Sequence, residues 1–317
     1  MTGSSQCNSP ASTNRLQHSL SGEYNSLRDS SVQMFIYIEG HKDDIFYKSI
    51  CERALKSFGV KYQIKYGGGK PRSLAFYLYL ESKNRLSPSF GNIKKAFFFF
   101  LDKDIDDLKG TLIASDYVNY TKYYAIENYY FLYGDLISSV SHAIGLHPTS
   151  INENSLLDNI SWAHSASEEW KEWVKCCILA ALHFPGCPNF GSKCSLIHKT
   201  DGSIDQGRRI IHENRMQVEA SNSSLDYNQI WSDTNSLVEQ MYNSGEHDQI
   251  FNGKWYCNFL CQDAERIARK HGVYKNRRWE HLEELLISQL RVSLRYDDKW
   301  ANHFILPIQK IAKGITN

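Results

Sequence analysis

Two stretches of the chain decide the fold, MFIYIEG at residues 34–40 and KAFFFFLDKDID at residues 95–106. Each is a short run of β-branched or aromatic residues that ends at acidic residues. Such runs are typical of strands buried on both faces of a parallel sheet. The carboxyl ends of these strands form the edge at which open α/β sheets bind their ligands. The sequence therefore predicts an α/β fold with acidic side chains at that edge.

The pattern around these stretches alternates strands with helices. The predicted order is strand 34–38, helix 43–58, strand 60–66, helix 71–83, strand 96–101 and strand 117–126. This alternation implies right-handed crossovers and a largely parallel sheet flanked by helices. Beyond residue 134 long helical patterns follow, at 155–183 and 282–296, and the polar region 186–230 between them is predicted to be dominated by loops.

Composition sets the wider limits. The chain has 317 residues, with Lys+Arg 36 against Asp+Glu 35, so it carries no overall basic field for nucleic acid. No stretch has the length of a transmembrane helix, and residues 1–31 lack the apolar core of a signal peptide, which predicts a cytoplasmic protein. The predicted organisation is a disordered leader (1–31), an α/β domain (32–134) and a mainly α-helical C-terminal region (135–317).

The acidic residues at the predicted sheet edge have the character of a cation site. Glu39 ends the first stretch, and Asp102, Asp104 and Asp106 alternate at the end of the second. Carboxylate oxygens are the ligands that Mg²⁺ prefers, and Mg²⁺ keeps waters that a substrate phosphate can displace. Two alternatives stay open. The aspartates are also typical of a hydrogen-bonded turn, and acids near residue 43 also favour a helix N-terminus.

The cysteines and histidines near residue 187 are a second possible metal signal. Cys187, Cys194 and His198, with His183 upstream, cluster around a Pro-Gly turn, but their spacing matches no zinc finger or knuckle. Free thiols in an ordinary loop are the alternative, because disulfides are rare in a reducing compartment. Cys257 and Cys261, which are four residues apart, are interpreted as one face of a helix.

Three motifs together resemble a known family. They are IEGHKD at 38–43, LDKDID at 101–106 and YAIENY at 124–129. In this order and strand context they resemble the TOPRIM domain, and the closest branch is the OLD-type nucleases, including the small TOPRIM effectors of PARIS-type anti-phage defence systems. The resemblance covers residues 34–133. A weaker similarity lies at FNGKW, residues 251–255, where related proteins also carry a Gly-Lys pair.

The resemblance implies a role for each acidic residue. It implies that Glu39 binds metal and takes part in proton transfer, and that Asp43 in the same turn orders the site and is a candidate metal ligand. It also implies that Asp102 and Asp104 are the metal ligands of an Asp-x-Asp motif. Asp106 is a further candidate ligand, and Glu127 resembles the acid that OLD-type enzymes use for a second metal. The implied cofactor is Mg²⁺ or Mn²⁺.

A lysine near such a site would stabilise the charge of a phosphorane transition state, and two cations about 4 Å apart would activate water and the leaving oxygen. Lys70 and Lys122 are the candidates, and the sequence does not separate them. Lys70 follows three glycines, but this run is not a phosphate-binding Walker A loop, because Pro71 stands where Ser or Thr belongs. A tight strand-to-helix turn is the alternative interpretation of the glycines.

The function implied by the resemblance is a Mg²⁺-dependent endonuclease effector of anti-phage defence that hydrolyses phosphodiester bonds in DNA or RNA, with transfer RNA as a plausible target. The resemblance also implies an ABC-class ATPase partner that holds the effector inactive, because the chain has no nucleotide-binding loop of its own, and a homodimer in the active state. The alternative function is a non-catalytic TOPRIM-like module that binds nucleic acid or docks to its ATPase.

Two further features of the C-terminal region bear on partners. Basic clusters at 208–209 and 275–278 are interpreted as solvated charge, with RNA contact as the alternative. The region is also rich in large aromatics, which are enriched at interfaces, although burial within the chain's own helices is expected for most of them. These are Trp162, Trp170, Trp173, Trp255, Trp279 and Trp300.

Overall fold

The structure is a computed structural model that describes residues 10–28, 31–151, 156–192, 197–199, 203–273 and 281–316. The chain divides into two units. The first comprises Met1–Leu101, Ile113–Tyr120 and Asp297–Asn317, and the second comprises Asp102–Leu112 and Thr121–Tyr296. This division differs from the predicted boundary at residue 134, because the chain leaves the first unit after residue 101 and its C-terminal segment belongs to that unit again.

The described residues contain the following secondary structure. The strands are β1 Met34–Ile38, β2 Tyr62–Tyr66, β3 Ser89–Phe90, β4 Ile93–Lys94, β5 Ala96–Leu101 and β6 Val118–Tyr120. The helices are α1 Pro10–Arg28, α2 Asp44–Leu55, α3 Lys70–Ser82, α4 Ile126–Tyr133, α5 Leu136–Ile144, α6 Asn159–Glu169, α7 Lys171–His183, α8 Gln206–Asn222, α9 Tyr227–Asn243, α10 Gly253–Lys270, α11 Leu282–Ser293 and α12 Asp298–Thr316. The predicted α/β fold with a helical C-terminal region is confirmed.

A four-stranded sheet of order β2-β1-β5-β6 forms the centre of the first unit, and all its strand pairs are parallel. In the register of β1 and β5, Tyr37 lies beside Phe99. Every residue of these two strands is buried, as their apolar runs predict. β3 and β4 form a separate antiparallel pair.

Helices cover both faces of this sheet. Tyr37 and Phe99 point to the face covered by α1 and α3, where Phe76 packs against both rings. Phe100 points to the other face, where it stacks on Tyr47 of α2 at 4.5 Å. Phe304 of α12 contacts the same ring, and α12 also packs along α2. The return of α12 to the sheet was not predicted.

The leader is helical over residues 10–28 rather than a disordered tail. α1 carries Leu20, Tyr24 and Leu27, each at most 5% exposed, in the core of the first unit. These residues recur at intervals of four and three, which places them on one face of a helix. The Ser and Asn residues between them lowered the average hydrophobicity and concealed this face in the sequence.

The second unit, from α4 to α11, is helical in its described residues. The predicted helix at 155–183 is divided at Trp170 into α6 and α7. The predicted loop region 186–230 instead contains α8 and the start of α9, and residues 193–196 and 200–202 within it lie outside the described residues. The predicted strand 117–126 is also too long, because β6 ends at Tyr120 and α4 begins at Ile126.

The aromatic and cysteine side chains of the helical region are largely buried. Trp162, Trp170, Trp173 and Trp255 are each at most 5% exposed, and Trp300 is similarly buried in the first unit. Most of the tryptophans therefore serve the packing of the chain itself, as expected. Cys257 is buried and Cys261 is half-buried on α10, which confirms that they share a helix. Trp279, Cys194 and the basic cluster at 275–278 lie outside the described residues.

None of the helices in the described part of the chain has both the length and the apolar character needed to cross a membrane.

Candidate active site

The predicted site residues Glu39, Asp43 and Lys70 belong to the first unit. Glu39 directly follows β1 and is half-buried, and its backbone carbonyl accepts a hydrogen bond from Gly69 N (3.0 Å). Asp43 Oδ2 accepts a hydrogen bond from Gly40 N (3.2 Å), so this carboxylate fixes the turn that joins Glu39 to α2. Lys70 is the first residue of α3. The turn after β1 and the turn before α3 are thus joined through their backbones.

The glycine run before Lys70 forms a tight turn. Gly68 and Gly69 have φ values of 75° and 93°, which side chains rarely adopt. Gly67 N donates to Ile38 O (2.7 Å), and a Cβ atom on Gly67 would lie 1.8 Å from Ser73 Oγ. Each glycine therefore has a steric reason to be there, which supports the interpretation of this run as a strand-to-helix turn.

The acid loop, which we define as residues 102–106, lies in the second unit and is fixed by the turn at 124–126. Asp102 Oδ1 accepts a hydrogen bond from Ile126 N (3.1 Å). Asp104 N donates to Tyr124 O (2.7 Å), and Asp104 has a φ of 51°, a conformation that Asp tolerates better than most residues. The two predicted metal ligands are therefore both held by backbone groups of one neighbouring turn.

Asp106 has different surroundings. Its N–H donates to Lys103 O (3.1 Å), and its carbonyl accepts from Thr111 N (2.9 Å), as in a hydrogen-bonded turn. Lys103 Nζ in turn lies 2.7 Å from a carboxylate oxygen of Asp107. Asp106 lines a small cavity of about 290 Å³ beside the acid loop. These contacts agree with the alternative interpretation of a turn aspartate, and a ligand role for Asp106 stays a prediction.

Glu127 and a lysine of α10 lie close together. Glu127 is in the first turn of α4, and its Oε1 lies 3.7 Å from Lys254 Nζ. Its other oxygen, Oε2, is buried and makes no hydrogen bond to any described residue. Lys122, the predicted lysine of this unit, is exposed, and its Nζ lies 5.8 Å from the ring centre of Tyr123. Lys254 is thus the lysine that the structure brings to Glu127.

Asn128 joins the start of α4 to the segment before α10. Its Oδ1 accepts a hydrogen bond from Ala125 N (3.1 Å), which caps α4. Its Nδ2 donates to Phe251 O (3.0 Å) and Asp248 O (3.3 Å). Asn128 is fully buried, and a Cβ atom on Gly253 would lie 2.5 Å from its backbone nitrogen. This close packing explains both the glycine before Lys254 and the position of α10 beside Glu127.

A buried acid, Asp248, also stabilises the packing of α10 against α4. Its backbone carbonyl accepts from Tyr124 N (2.9 Å), and its Oδ1 accepts from Tyr256 Oη (2.7 Å). Burial raises the pKa of Asp248 above its usual range, against the opposing charge of His247, whose Nε2 lies 3.4 Å away. Burial also lowers the pKa of His247. Asp248 is thus connected through Tyr124 to Asp104, and through Asn128 to the helix that holds Asp102.

One cavity of about 730 Å³ is lined by the first two aspartates of the acid loop. Asp102 and Asp104 line it together with Lys254, and Asn252, Asn258 and His198 contribute further polar side chains. Lys122 is not among the described residues that line it. Glu283 also lines it, so the arrangement puts three carboxylates and one lysine around one solvent-accessible space. Carboxylates can hold a metal ion and a lysine can offset the charge of a phosphate group.

The described residues satisfy the needs of Mg²⁺ only in part. They contain no group of three or more His, Cys, Asp or Glu side chains placed to hold a metal ion. Mg²⁺ is nevertheless commonly held by one or two carboxylates plus substrate phosphate and water, and Asp102 and Asp104 fit that smaller demand. Glu127, whose Oε2 is buried without a hydrogen bond to a described residue, is not among the described residues that line this cavity.

Lys254 and Asn128 are the residues whose placement the sequence left undetermined. The Gly-Lys pair at 253–254 was noted from the resemblance, but only the packing of Gly253 against Asn128 brings the lysine to Glu127. His198 was considered as a zinc ligand with Cys187 and Cys194. It lines the same cavity as Asp102, whereas Cys187 is buried and is not among the residues described as lining it.

Compared with known proteins, the chain matches no protein-family profile, and no relative is found among curated proteins.

Proposed function

We propose that the protein is a metal-dependent phosphodiesterase that cuts nucleic acid and acts as a TOPRIM-type effector of anti-phage defence. One observation supports the chemistry above all others, namely that Asp102, Asp104 and Lys254 line a single cavity although they lie far apart in the chain. Glu283 lines the same cavity. Acids and one lysine around an open space form a minimal set for phosphoryl chemistry, because the acids hold the cation and the lysine offsets transition-state charge.

Each residue has a distinct role in this proposal. Asp102 and Asp104 hold Mg²⁺ or Mn²⁺, and the N–H of Ile126 orients Asp102. When bound, the ion polarises the phosphoryl oxygen and lowers the pKa of a water molecule. Lys254 offsets the negative charge that develops on the phosphate, and Glu127 orients Lys254 through their 3.7 Å ion pair. Glu39 is proposed to be a metal ligand and proton acceptor on the basis of the motif resemblance.

The substrate and the partner are proposed on the resemblance alone. They are RNA or DNA, with transfer RNA as one target, and an ABC-class ATPase subunit that restrains the effector until infection. Self-association into a homodimer on release belongs to the same proposal. Co-expression with the neighbouring gene product, followed by size-exclusion chromatography, tests this part. A lone monomer that is fully active without a partner would contradict it.

Cleavage assays test the catalytic proposal directly. Purified protein is incubated with plasmid DNA and with total RNA, in the presence of Mg²⁺, Mn²⁺ or a chelator. We expect metal-dependent cleavage that is abolished in Glu39→Ala and in Asp102→Asn. Neither change should unfold the protein, because half-buried carboxylates at strand ends contribute little to the core.

A matched control separates site effects from general charge effects. Asp233 is exposed on α9, where its Oδ1 accepts a hydrogen bond from Gln229 Nε2 (2.9 Å). Asp233→Asn removes the same charge as Asp102→Asn and should leave cleavage intact. Cleavage that persists undiminished in Glu39→Ala and Asp102→Asn would reject the assignment. Binding of nucleic acid with no cleavage under any condition would favour the alternative, a non-catalytic binding module.

A further inference from the structure

The cavity that Asp102, Asp104 and Lys254 line is larger than a metal ion and one phosphate group require. At about 730 Å³ it falls within the size range of small-molecule and cofactor sites. We infer that it is a nucleotide site, which receives one unpaired nucleotide of the substrate and holds its base while the phosphate lies at Asp102, Asp104 and Lys254. This inference deepens the proposed function and rests on it for the identity of the polymer.

Aromatic residues form one wall of the cavity. Phe190 and Trp255 both line it and stack on each other, with ring centres 5.6 Å apart and ring planes at 19°. Tyr124 also lines the cavity and contacts Phe190 at 5.1 Å. All three rings are at most 7% exposed, so they are firmly packed and only a small part of each ring reaches the cavity. The exposed parts of these rings give a base a fixed apolar contact at this wall, smaller than the full ring faces on which proteins stack unpaired bases.

Polar groups on the lining can recognise the edge of a base. Asn258 carries both an amide donor and an amide acceptor. The imidazole of His198 is set in one tautomer, because its Nδ1 lies 2.8 Å from Lys199 O, which can only accept a hydrogen bond. Nε2 of the neutral ring is therefore an acceptor. Ser192 Oγ accepts from Asn189 N (3.0 Å), which leaves the hydroxyl hydrogen as a donor.

These features favour an unpaired nucleotide over a duplex. In a duplex the Watson–Crick edges face each other and the base faces are stacked, so a cavity with an aromatic wall and amide groups has no access to them. A nucleotide that is already single-stranded, or that is extruded from a helix, presents both. The phosphate attached to that same nucleotide would then lie at Lys254, and at Asp102 and Asp104 through the cation that they would hold.

Direct binding of mononucleotides tests the inference without requiring catalysis. Isothermal titration calorimetry of the full-length protein is carried out with 5′-AMP, CMP, GMP and UMP and with the deoxynucleotides, which distinguish ribose from deoxyribose. Ribose 5-phosphate and inorganic phosphate are the comparison probes. We expect at least one nucleotide to bind about tenfold more tightly than ribose 5-phosphate, since base stacking contributes on that scale.

Variants assign the binding to this cavity. Asn258→Leu removes the amide and should weaken nucleotide binding about tenfold, while Lys254→Met should weaken nucleotides and inorganic phosphate alike. Lys270→Ala, on the same helix but away from the cavity lining, is the matched control and should bind as the wild type does. Circular dichroism checks that each variant is folded. If Asn258→Leu does not fold, Lys254→Met still tests the site.

The outcomes separate this inference from the proposed function. Nucleotide binding that depends on Asn258 in a protein that cuts no nucleic acid would support the nucleotide site and reject the nuclease. Cleavage of nucleic acid by a protein that binds no nucleotide more tightly than ribose 5-phosphate would reject the nucleotide site and leave the nuclease standing. Equal nucleotide affinity in the wild type, Asn258→Leu and Lys254→Met would also reject the site.

Discussion

Replacement of Asn128 by Ala should strongly destabilise the second unit. The side chain of Asn128 is fully buried and bonds Ala125 N at 3.1 Å and Phe251 O at 3.0 Å. Both of those residues are also buried. Asn128→Ala would leave this amide N–H and this carbonyl without partners, in a place that water does not reach.

The size of the effect follows from those two backbone groups. Each buried polar group that loses its partner costs about 1–3 kcal/mol, so the two together predict a loss of about 2–6 kcal/mol in the free energy of unfolding. Total stabilities are typically about 5–15 kcal/mol, so the variant should be markedly unstable. Urea denaturation followed by far-UV circular dichroism measures the difference. Asn243→Ala, at the exposed end of α9, is the control and should change stability by less than about 0.5 kcal/mol.

Asn128→Asp makes the same prediction more specific. The new carboxylate keeps an acceptor for Ala125 N but faces the carbonyls of Asp248 and Phe251, where the amide now donates. Burial raises the pKa of such a carboxyl group, so its protonated form is favoured in the folded state. The protonated variant should be the more stable one, and its deficit relative to the wild type should grow as pH rises from about 4.

These measurements can refute the reasoning. A stability loss of less than about 1 kcal/mol for Asn128→Ala would mean that the stranded groups find other partners. A deficit of Asn128→Asp that stays constant with pH would mean that residue 128 does not face Asp248 and Phe251. Either result would remove the structural reason for placing Lys254 beside Glu127.

Three further predictions address the acids, the lysine and the buried network. Asp102→Asn combined with Asp104→Asn should stabilise the metal-free protein, because like charges repel, and should abolish the rise in melting temperature on adding Mn²⁺; an unchanged rise would place the ion elsewhere. Lys254→Met should reduce kcat for cleavage about 100-fold and more than Lys122→Met does, whereas the opposite order would restore Lys122 as the catalytic lysine. Burial raises the pKa of Asp248. The contribution of this carboxyl group to the free energy of unfolding is therefore present below the unfolded pKa of about 3.9 and is lost as pH rises through the folded pKa. Asp248→Asn should accordingly gain stability relative to the wild type with rising pH. A flat difference in unfolding free energy between pH 4 and pH 8 would contradict this.

The core strands were predictable because their signal is local. The runs that form β1 and β5 are short, continuous and apolar, and acidic residues end both. Burial on both faces follows from a parallel sheet covered by helices. The start of α3 was equally clear, since positive-φ glycines precede Lys70 and a proline occupies the first turn.

Errors arose where a few buried residues define an element in a polar sequence. α8 buries only Met216 and Ala220 among its described residues, so its sequence has the composition of a loop. The predicted strand at 117–126 ends early because Thr121 Oγ1 accepts a hydrogen bond from Lys103 N (2.8 Å), which places Thr121 in the support of the acid loop. Neither the sparse burial of α8 nor the hydrogen bond of Thr121 produces a periodic pattern in the sequence.

The candidate site was predictable in its acids and not in its lysine, because the lysine depends on a contact between distant segments. Asn128 and Phe251 are 123 positions apart in the chain, yet their hydrogen bond and the close approach of Gly253 fix α10 against α4. Glu127 meets Lys254 only through that packing. A fragment that ended at the predicted boundary after residue 134 would lack Lys254 and would leave the Asn128 amide without its partners. The helical region is therefore part of the candidate site, and a protein reduced to its α/β segment should lose Lys254 together with the partners of Asn128 that fix the start of α4.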